Sequence, residues 1–580
     1  MSFALLDWLV IAAFLLLLLG LSLLYTKSAG KNIESFFLGG RKLPWWLAGT
    51  SMVATTFAAD TPLAVTEMIA QDGISGNWLW WNMLAGGMLT TFFFAKYWRR
   101  AGIMTELELI EMRYSGAEAR ILRGFKAVYL GVFMNCLILA WVNLALMALL
   151  QVFFALSPME AFLYTALLML LVTFYSMLSG LMGVAVTDAV QFVLAMAGCI
   201  VLAVLVLHSK EIGGIQALKQ ALPVDTFRFF PRLGSSADVS GSSLALGLGS
   251  FFAFVGMQWW ASWYPGAEPG GGGYVAQRMM STKDESHALK ATLFFQIAHY
   301  ALRPWAWIVV GLCALVLYPD LQDSKLGYVY AMRDYLPVGL RGMLFVAFLA
   351  AYMSTVSTHL NWGASYLIGD LYCRFVERSA SERHYVWASR LCTLLIAFVA
   401  LGVTPQINSI KEVWSFLLEC GAGLGLVLIL RWYWWRINAW TELVATLAPF
   451  VGYALGHFVW EWQHPQSFFF TVGFTTLAWL LTMWLTAPTD LSVLQAFCLK
   501  IQPQGSWKPV YASLQQKAPA SSMGTLALCW LSGVLGVYSV LFMIGSFILQ
   551  EYSQAAGYTA LALLSLLALF RFSKKIRLFE

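Results

Sequence analysis

The stretch 54–64 sets a carboxylate, Asp60, and a proline, Pro62, among small and hydroxyl-bearing residues in the middle of an apolar run from 43 to 70. A run of that length spans a bilayer, which takes about 20 helical residues. Pro62 lacks an N–H and disfavours helical geometry at the preceding Thr61, so the helix is predicted to break or unwind there. Unwound backbone at membrane depth survives only where it is buried in protein or lines a cavity. Its freed carbonyls can then hold a cation. An ionisable side chain at that depth marks a functional site; the structural alternative is a proline-kinked packing helix with a paired Asp60.

A second chemical stretch lies far along the chain. Ser354, Ser357, Thr358 and Asn361 fall at i, i+3, i+4 and i+7 of an apolar span, which puts them on one helix face. A stripe of hydroxyls without charge suits a hard monovalent cation, which takes oxygen ligands; the alternative is hydroxyls bonded back to their own helix or to a neighbour. Asp188, in the first turns of a further span, reads as a helix cap, a second cation ligand or part of an ion exit path. Residues 244–265 form another interrupted span, ending in 256–265 with Gln258, Trp260 and Trp263 and followed by four consecutive glycines, 270–273. Two interrupted spans at matching positions of two halves are the sequence trace of inverted repeats with a binding site at the midplane. No Gly-Lys-Ser/Thr follows the glycine run, so it is not a phosphate loop.

Those residues have to be held by something, and the composition says what. Of 580 residues, 60% are hydrophobic and 11% charged, far from the roughly 45–50% and 25% of a soluble domain. This is an all-α polytopic membrane protein with about fifteen predicted spans: 5–25, 44–70, 77–98, 123–155, 158–178, 183–207, 244–265, 288–318, 340–372, 384–403, 412–432, 438–459, 467–487, 523–549 and 555–573. The first is too long for a signal-peptide core and is expected to be retained. Alternate loops (27–42, 96–123, 266–290, 374–390, 431–438, 500–517) each carry at least two Lys or Arg, and the tail 571–577 is strongly basic. They place the N-terminus outside and the C-terminus in the cytoplasm. The net charge of +6 is accounted for by that bias and implies no nucleic-acid partner. Eight scattered cysteines contain no CxxC pair and read as packing residues. Tryptophan clusters at 45–46, 78–81, 432–435 and 460–462 read as interfacial belts.

Several stretches together resemble the sodium:solute symporter family. They are 35–46 (SFFLGGRKLPWW), the break at Asp60, 180–191, 274–278 (YVAQR) and 351–370. The likeness runs from about residue 5 to 487 and implies the LeuT-type fold with two inverted five-helix repeats. On that reading, 1–43 is a leading span and cytoplasmic loop and 44–207 the first repeat. An extracytoplasmic loop, 208–243, separates it from the second repeat, 244–432. Two further spans (433–487), a cytoplasmic loop (488–522) and two last spans with a basic tail (523–580) complete the chain. The resemblance implies a principal sodium site from backbone oxygens of Ala58 and Thr61, the Ala351 carbonyl and the Ser354 and Thr355 hydroxyls. In members with a second sodium, its ligands match Asp188, Ser354, Ser357 and Thr358. Asp60 is similar to an acidic residue that proline-type members place beside the first site.

The substrate side departs from the family's patterns. Sugar-transporting members carry Gln where this chain has Val65, and Asn and a gating Tyr where it has Trp260 and Trp263. Asp60, Glu67, Gln258, Trp260, Trp263, Asn82, Asn135 and Glu419 are therefore the cavity candidates, each with a packing alternative.

The reading is a sodium-coupled symporter importing a small organic solute (a sugar, amino acid or organic acid) with one or two Na+ ions. It is expected in a bacterial inner (plasma) membrane, with the lipid bilayer and the solute as partners and no obligatory protein partner. The alternatives are a proton- or potassium-coupled carrier of the same fold titrating Asp60 or Asp188, and a transporter-like sensor. A sensor is expected to carry a soluble signalling domain after the last span, which ends at 573 of 580. An enzyme is not expected, since the seven histidines lack metal-ligand spacing and no nucleophile–base motif is present.

Overall fold

The computed structural model describes residues 3–57, 59–231, 246–407 and 410–579, with the side chains of 22, 28, 179, 411, 412 and 415 left aside. Its regular elements are helices throughout. Among the described residues, eleven helical segments are long and apolar enough to cross a membrane. Each coincides with one of the predicted spans. The other four predicted spans, 44–70, 77–98, 244–265 and 412–432, are present as short helices separated by breaks. Two of them open the two proposed repeats, which is where an inverted-repeat transporter needs irregular backbone.

Helix Leu340–Ser365 is buried along nearly its whole length and forms the axis of the bundle. Helices Leu5–Ala29 and Pro158–Leu207 pack on it. The latter is two spans in one run, divided at Gly180 (φ 56°, ψ −167°). That φ favours glycine, and a Cβ there would stand 2.9 Å from the Phe36 carbonyl oxygen.

The breaks satisfy one another. Helix Trp259–Ala261 ends as the chain becomes extended at Ser262, and helix Ile410–Cys420 ends at Gly421. Trp263 N–H donates to Gly421 O at 3.2 Å and Gly423 N–H to Ala261 O at 2.9 Å. The backbone groups freed at one interruption are thus paired by the other, as burial in apolar surroundings requires. Gly425 lies against the same junction, its missing Cβ only 2.2 Å from Trp260 O.

Two of the tryptophan clusters are not interfacial. Trp78 donates its Nε1–H to Phe229 O at 2.8 Å and meets the rings of Phe251 and Tyr538. Trp81 and Trp432 are fully buried. Trp78 and Trp81 are covered by the C-terminal hairpin Met523–Ile548 and Tyr552–Lys575: Tyr538 Oη bonds Trp81 O at 2.7 Å, and Phe542 stacks on Phe229. Trp432 is covered instead by Tyr97, Trp98 and Phe497. Trp46 and Trp460, by contrast, are exposed and fit a belt.

The segment 488–517 also gains a position. Helix Leu491–Ile501 and the turn after it pack on the loops 96–114 and 431–435. Arg113 is stacked under Trp507 (4.7 Å) and Phe497 (5.6 Å) while its guanidinium donates to the carbonyls of Arg431, Trp434 and Trp435.

Candidate functional site

Helix Trp45–Thr55 stops at Thr56, and a second helix restarts at Asp60 and runs to Asp72. The interruption falls at 56–59, ahead of the predicted Thr61. Pro62 is the third residue of the new helix, a first-turn position whose N–H has no intrahelical partner in any residue. Proline therefore starts the second half instead of ending the first. Ala58 lies outside the described residues.

The hydroxyl stripe of the central helix faces the carbonyl end of the first half. Thr355 Oγ1 donates toward Thr55 O at 2.9 Å and Ala351 O at 3.2 Å. Thr61 Oγ1 lies 3.5 Å from Asp60 Oδ1. Thr355 thereby joins Ala351 to the carbonyl end of the first half, and it lines one cavity with Thr55, Thr56, Asp60 and Thr61.

Asp188 stands eight residues into the span Gly180–Leu207 and is fully buried, so it is no helix cap. Ser51 Oγ donates to it at 2.5 Å and Ser354 Oγ at 2.7 Å. The Arg278 guanidinium, also fully buried, is 3.8 Å away. Arg278 further donates to Thr358 Oγ1 (2.7 Å), Ser51 Oγ (3.2 Å) and Gln277 Oε1 (2.8 Å). Thr358 shares a 3.0 Å bond with Thr55 Oγ1, and Ser357 Oγ donates back to Ser354 O. Two of the four residues expected to hold a second sodium, Asp188 and Thr358, thus face an arginine. YVAQR was singled out in the sequence, but the charge of its last residue was not used. Asn361 accepts from Gln277 Nε2 at 2.9 Å, which completes the stripe.

Two cavities meet at this place. The inner one, of about 90 Å³, is lined by Asp60, Thr61, Val65 and Thr355 and by a set of rings. The outer one, of about 330 Å³, is lined by Glu67, Gln258 and Glu419 among others and shares Ala64, Met68, Leu79, Trp414 and Leu418 with the first. Gln258 Nε2 donates to Leu79 O, and Glu419 accepts from Ser467 Oγ. Trp260, Trp263 and Asn82 are not among the described residues lining either cavity; Asn82 Nδ2 bonds the carbonyls of Trp78 and Leu79. Asn135 holds His359 Nδ1 and His359 O.

The inner lining contains residues the sequence did not assign to the site: Trp80, Trp141, Tyr264, Tyr300, Trp414 and His299. For Tyr264 the cause is the extended backbone after Ala261, where side chains alternate between opposite sides. Tyr264 then reaches the cavity, whereas Trp263 packs against Glu268 and Lys126 in a separate crevice.

That crevice is lined by two buried acids, Glu106 and Glu268, and two bases, Lys126 and Arg431, which share a third buried acid, Glu442. Lys126 Nζ and Arg431 Nη1 both bond Glu442 Oε1, the latter at 3.0 Å, and Tyr114 Oη reaches Oε2 at 2.7 Å. Glu106 accepts from Gly273 N–H, while Glu268 accepts from Gly266 N–H and its Oε1 has no partner among the described residues. Burial, reinforced by the charge of Glu106, pushes the Glu268 carboxyl up to about 8. The folded chain then holds this proton more tightly than the unfolded chain does. Its contribution to stability is complete below the ordinary carboxylate range and is lost as pH rises through about 8. Glu268→Gln should flatten the fall in melting temperature of the detergent-purified protein between pH 6 and pH 9; an unaltered slope refutes the assignment.

Residues 36–448 match the sodium:solute symporter family. The rabbit (Oryctolagus cuniculus) sodium/glucose cotransporter 1 is 22% identical over 480 residues, covering 74% of this chain and 68% of that protein. The Vibrio parahaemolyticus sodium/glucose cotransporter is 23% identical over 471 residues, covering 76% and 83%. The solved substrate-bound outward-open state of a Na+-coupled sialic acid symporter superposes with a TM-score of 0.70 at 20% identity, over 84% of this chain and 99% of that one. The last likeness shows the fold, which is the LeuT-type arrangement expected from the sequence. With its family match extending across most of its length, this integral membrane protein belongs to the sodium:solute symporter family, a family of transporters.

Proposed function

We propose that the chain is a sodium-coupled secondary active symporter that imports a small organic solute by alternating access. One observation carries the ion site: the Thr355 hydroxyl meets the Thr55 carbonyl at the edge of the 56–59 interruption. That is where carbonyls without helical partners face oxygen-bearing side chains across two helices. Sodium is assigned to Ala58, Thr61, Ala351, Ser354 and Thr355. The set Asp188, Ser354, Ser357 and Thr358 already contains a fixed cation in Arg278, so coupling by one sodium is the reading we adopt. Asp60, Glu67, Gln258 and Glu419 are assigned to the solute path, and Trp260, Trp263 and Asn82 to its supporting wall. Sodium would favour an outward-open state, and the inward gradient supplies ~2.3 kcal/mol per charge per 100 mV, plus the concentration term. The loop charges support an N-terminus outside and a cytoplasmic C-terminus; the membrane is taken to be a bacterial inner membrane.

The test needs no knowledge of the solute. In detergent, sodium chloride should raise the melting temperature above that in potassium chloride at equal ionic strength, since a ligand of the folded state stabilises by RT ln(1 + [L]/Kd). Ser354→Ala with Thr355→Ala should abolish the difference. A sodium response that survives the double substitution refutes the site, and a response to pH but not to sodium favours proton coupling.

A further inference from the structure

The inner cavity has an unusual balance of groups for a site that handles polar solutes. Its one carboxylate, Asp60, is 3% exposed, and among the described residues no cationic side chain comes within 4 Å of it. The neighbouring Arg303 is engaged elsewhere: it donates to Val53 O (2.9 Å), Thr56 O (3.0 Å) and His299 Nδ1, and lies over the Trp307 ring at 5.1 Å. A buried carboxylate with no cation in contact is costly, and the cost falls when one arrives.

The rest of the lining is aromatic. Trp414 touches both Trp141 (centroids 6.3 Å) and Tyr264 (5.9 Å), and Trp80 stacks on Tyr300 (5.8 Å). Ring faces attract a cation, most strongly a desolvated alkylated ammonium, which has no hydrogen-bonding shell of its own to replace.

A sugar would need a set of free donors and acceptors around its hydroxyls. Here three of the four threonine hydroxyls are turned to backbone carbonyls, Thr55 to Ser51 O, Thr56 to Val53 O and Thr355 to Thr55 O, and the fourth, Thr61, faces Asp60. His359 Nδ1 is used on Asn135, and Val65 presents an apolar surface.

The approach is acidic as well. The outer cavity carries Glu67, Asp72 and Glu419 against one lysine, Lys325, whose Nζ is 2.9 Å from Asp323. A cleft of one sign concentrates ligands of the other.

We propose that the transported solute is an organic cation of the alkylated-ammonium class, its charge held between the Asp60 carboxylate and the Trp80, Trp141, Tyr264, Tyr300 and Trp414 rings. This rests on the symport reading above and names its substrate class. The test is to record the melting temperature of the full chain in constant sodium chloride while tetramethylammonium chloride replaces potassium chloride, with D-glucose titrated in parallel. A saturable rise with tetramethylammonium, none with glucose, is expected. Asp60→Asn should weaken that binding roughly tenfold or more, and Trp141→Leu and Trp414→Leu severalfold. Asp60→Glu should restore part of it. Stabilisation by glucose alone overturns the proposal, as does a tetramethylammonium rise that persists in all three weakening variants. A sodium-specific rise without any tetramethylammonium effect overturns this inference and leaves the symport reading standing; absence of both removes the two together. If Asp60→Asn cannot be purified, the two tryptophan variants decide.

Discussion

Glu442→Ala should be the most damaging single substitution in this protein, lowering stability by about 3–5 kcal/mol, the usual cost of removing one partner from a buried ion pair. The carboxylate is fully buried and takes bonds from Lys126, Arg431 and Tyr114, which come from different parts of the chain. Without it the two cations keep only Glu106 and Glu268 nearby, and Glu268 is the member of the group that holds its proton to about pH 8. Detergent melting curves and the yield of monodisperse protein measure the effect. Replacing Glu442 with Gln keeps the shape and one acceptor, so comparison of the two variants separates charge from packing. A Glu442→Ala protein that melts with the wild type would mean that the cluster is solvated in the membrane.

Asp188→Asn should cost a similar ~3–5 kcal/mol, because it leaves Arg278 buried without a counter-charge. The arginine supplies the discriminating control. Asp188→Asn combined with Arg278→Gln removes both charges and should recover much of the lost stability, as replacement of a whole buried pair commonly does. The sodium response of this double variant should persist, since Ser354 and Thr355 remain. If instead Asp188→Asn abolishes the sodium response while the melting temperature in potassium stays put, Asp188 is an ion ligand and the arginine is not its partner.

What the sequence made legible was whatever leaves a mark on local composition. Apolar runs located the spans, and Asp60 with Pro62 marked the first interruption within a few residues. The hydroxyl spacing from Ser354 to Asn361 marked the face that meets it. The error at Thr61 arose because a proline's effect depends on where the helix restarts, and only tertiary packing decides that. Trp80, Trp141 and Trp414 were hidden for a different reason: an aromatic ring in an apolar span looks the same whether it faces lipid, protein or a cavity. Arg278 was readable as a buried charge in a motif, but its partner Asp188 is 90 residues away, and no local pattern encodes that pairing. The tryptophans at 78, 81 and 432 were misread because their cover comes from distant segments, including residues after 490.

The strap formed by 488–517 has a kinetic consequence. On the proposed division Arg113 lies in the first repeat, the carbonyls of 431, 434 and 435 lie at the end of the second and just after it, and Trp507 closes over both. In a rocking cycle, any motion that parts those two loops must unstack that indole and break those bonds on the way, then remake them on return. A fastening present at both ends of the cycle and broken between them leaves the free-energy difference between the end states untouched. It raises the pass between them. If the two halves rock as proposed above, the strap would act as a governor on turnover, a part that sets how fast the machine runs without altering its gearing.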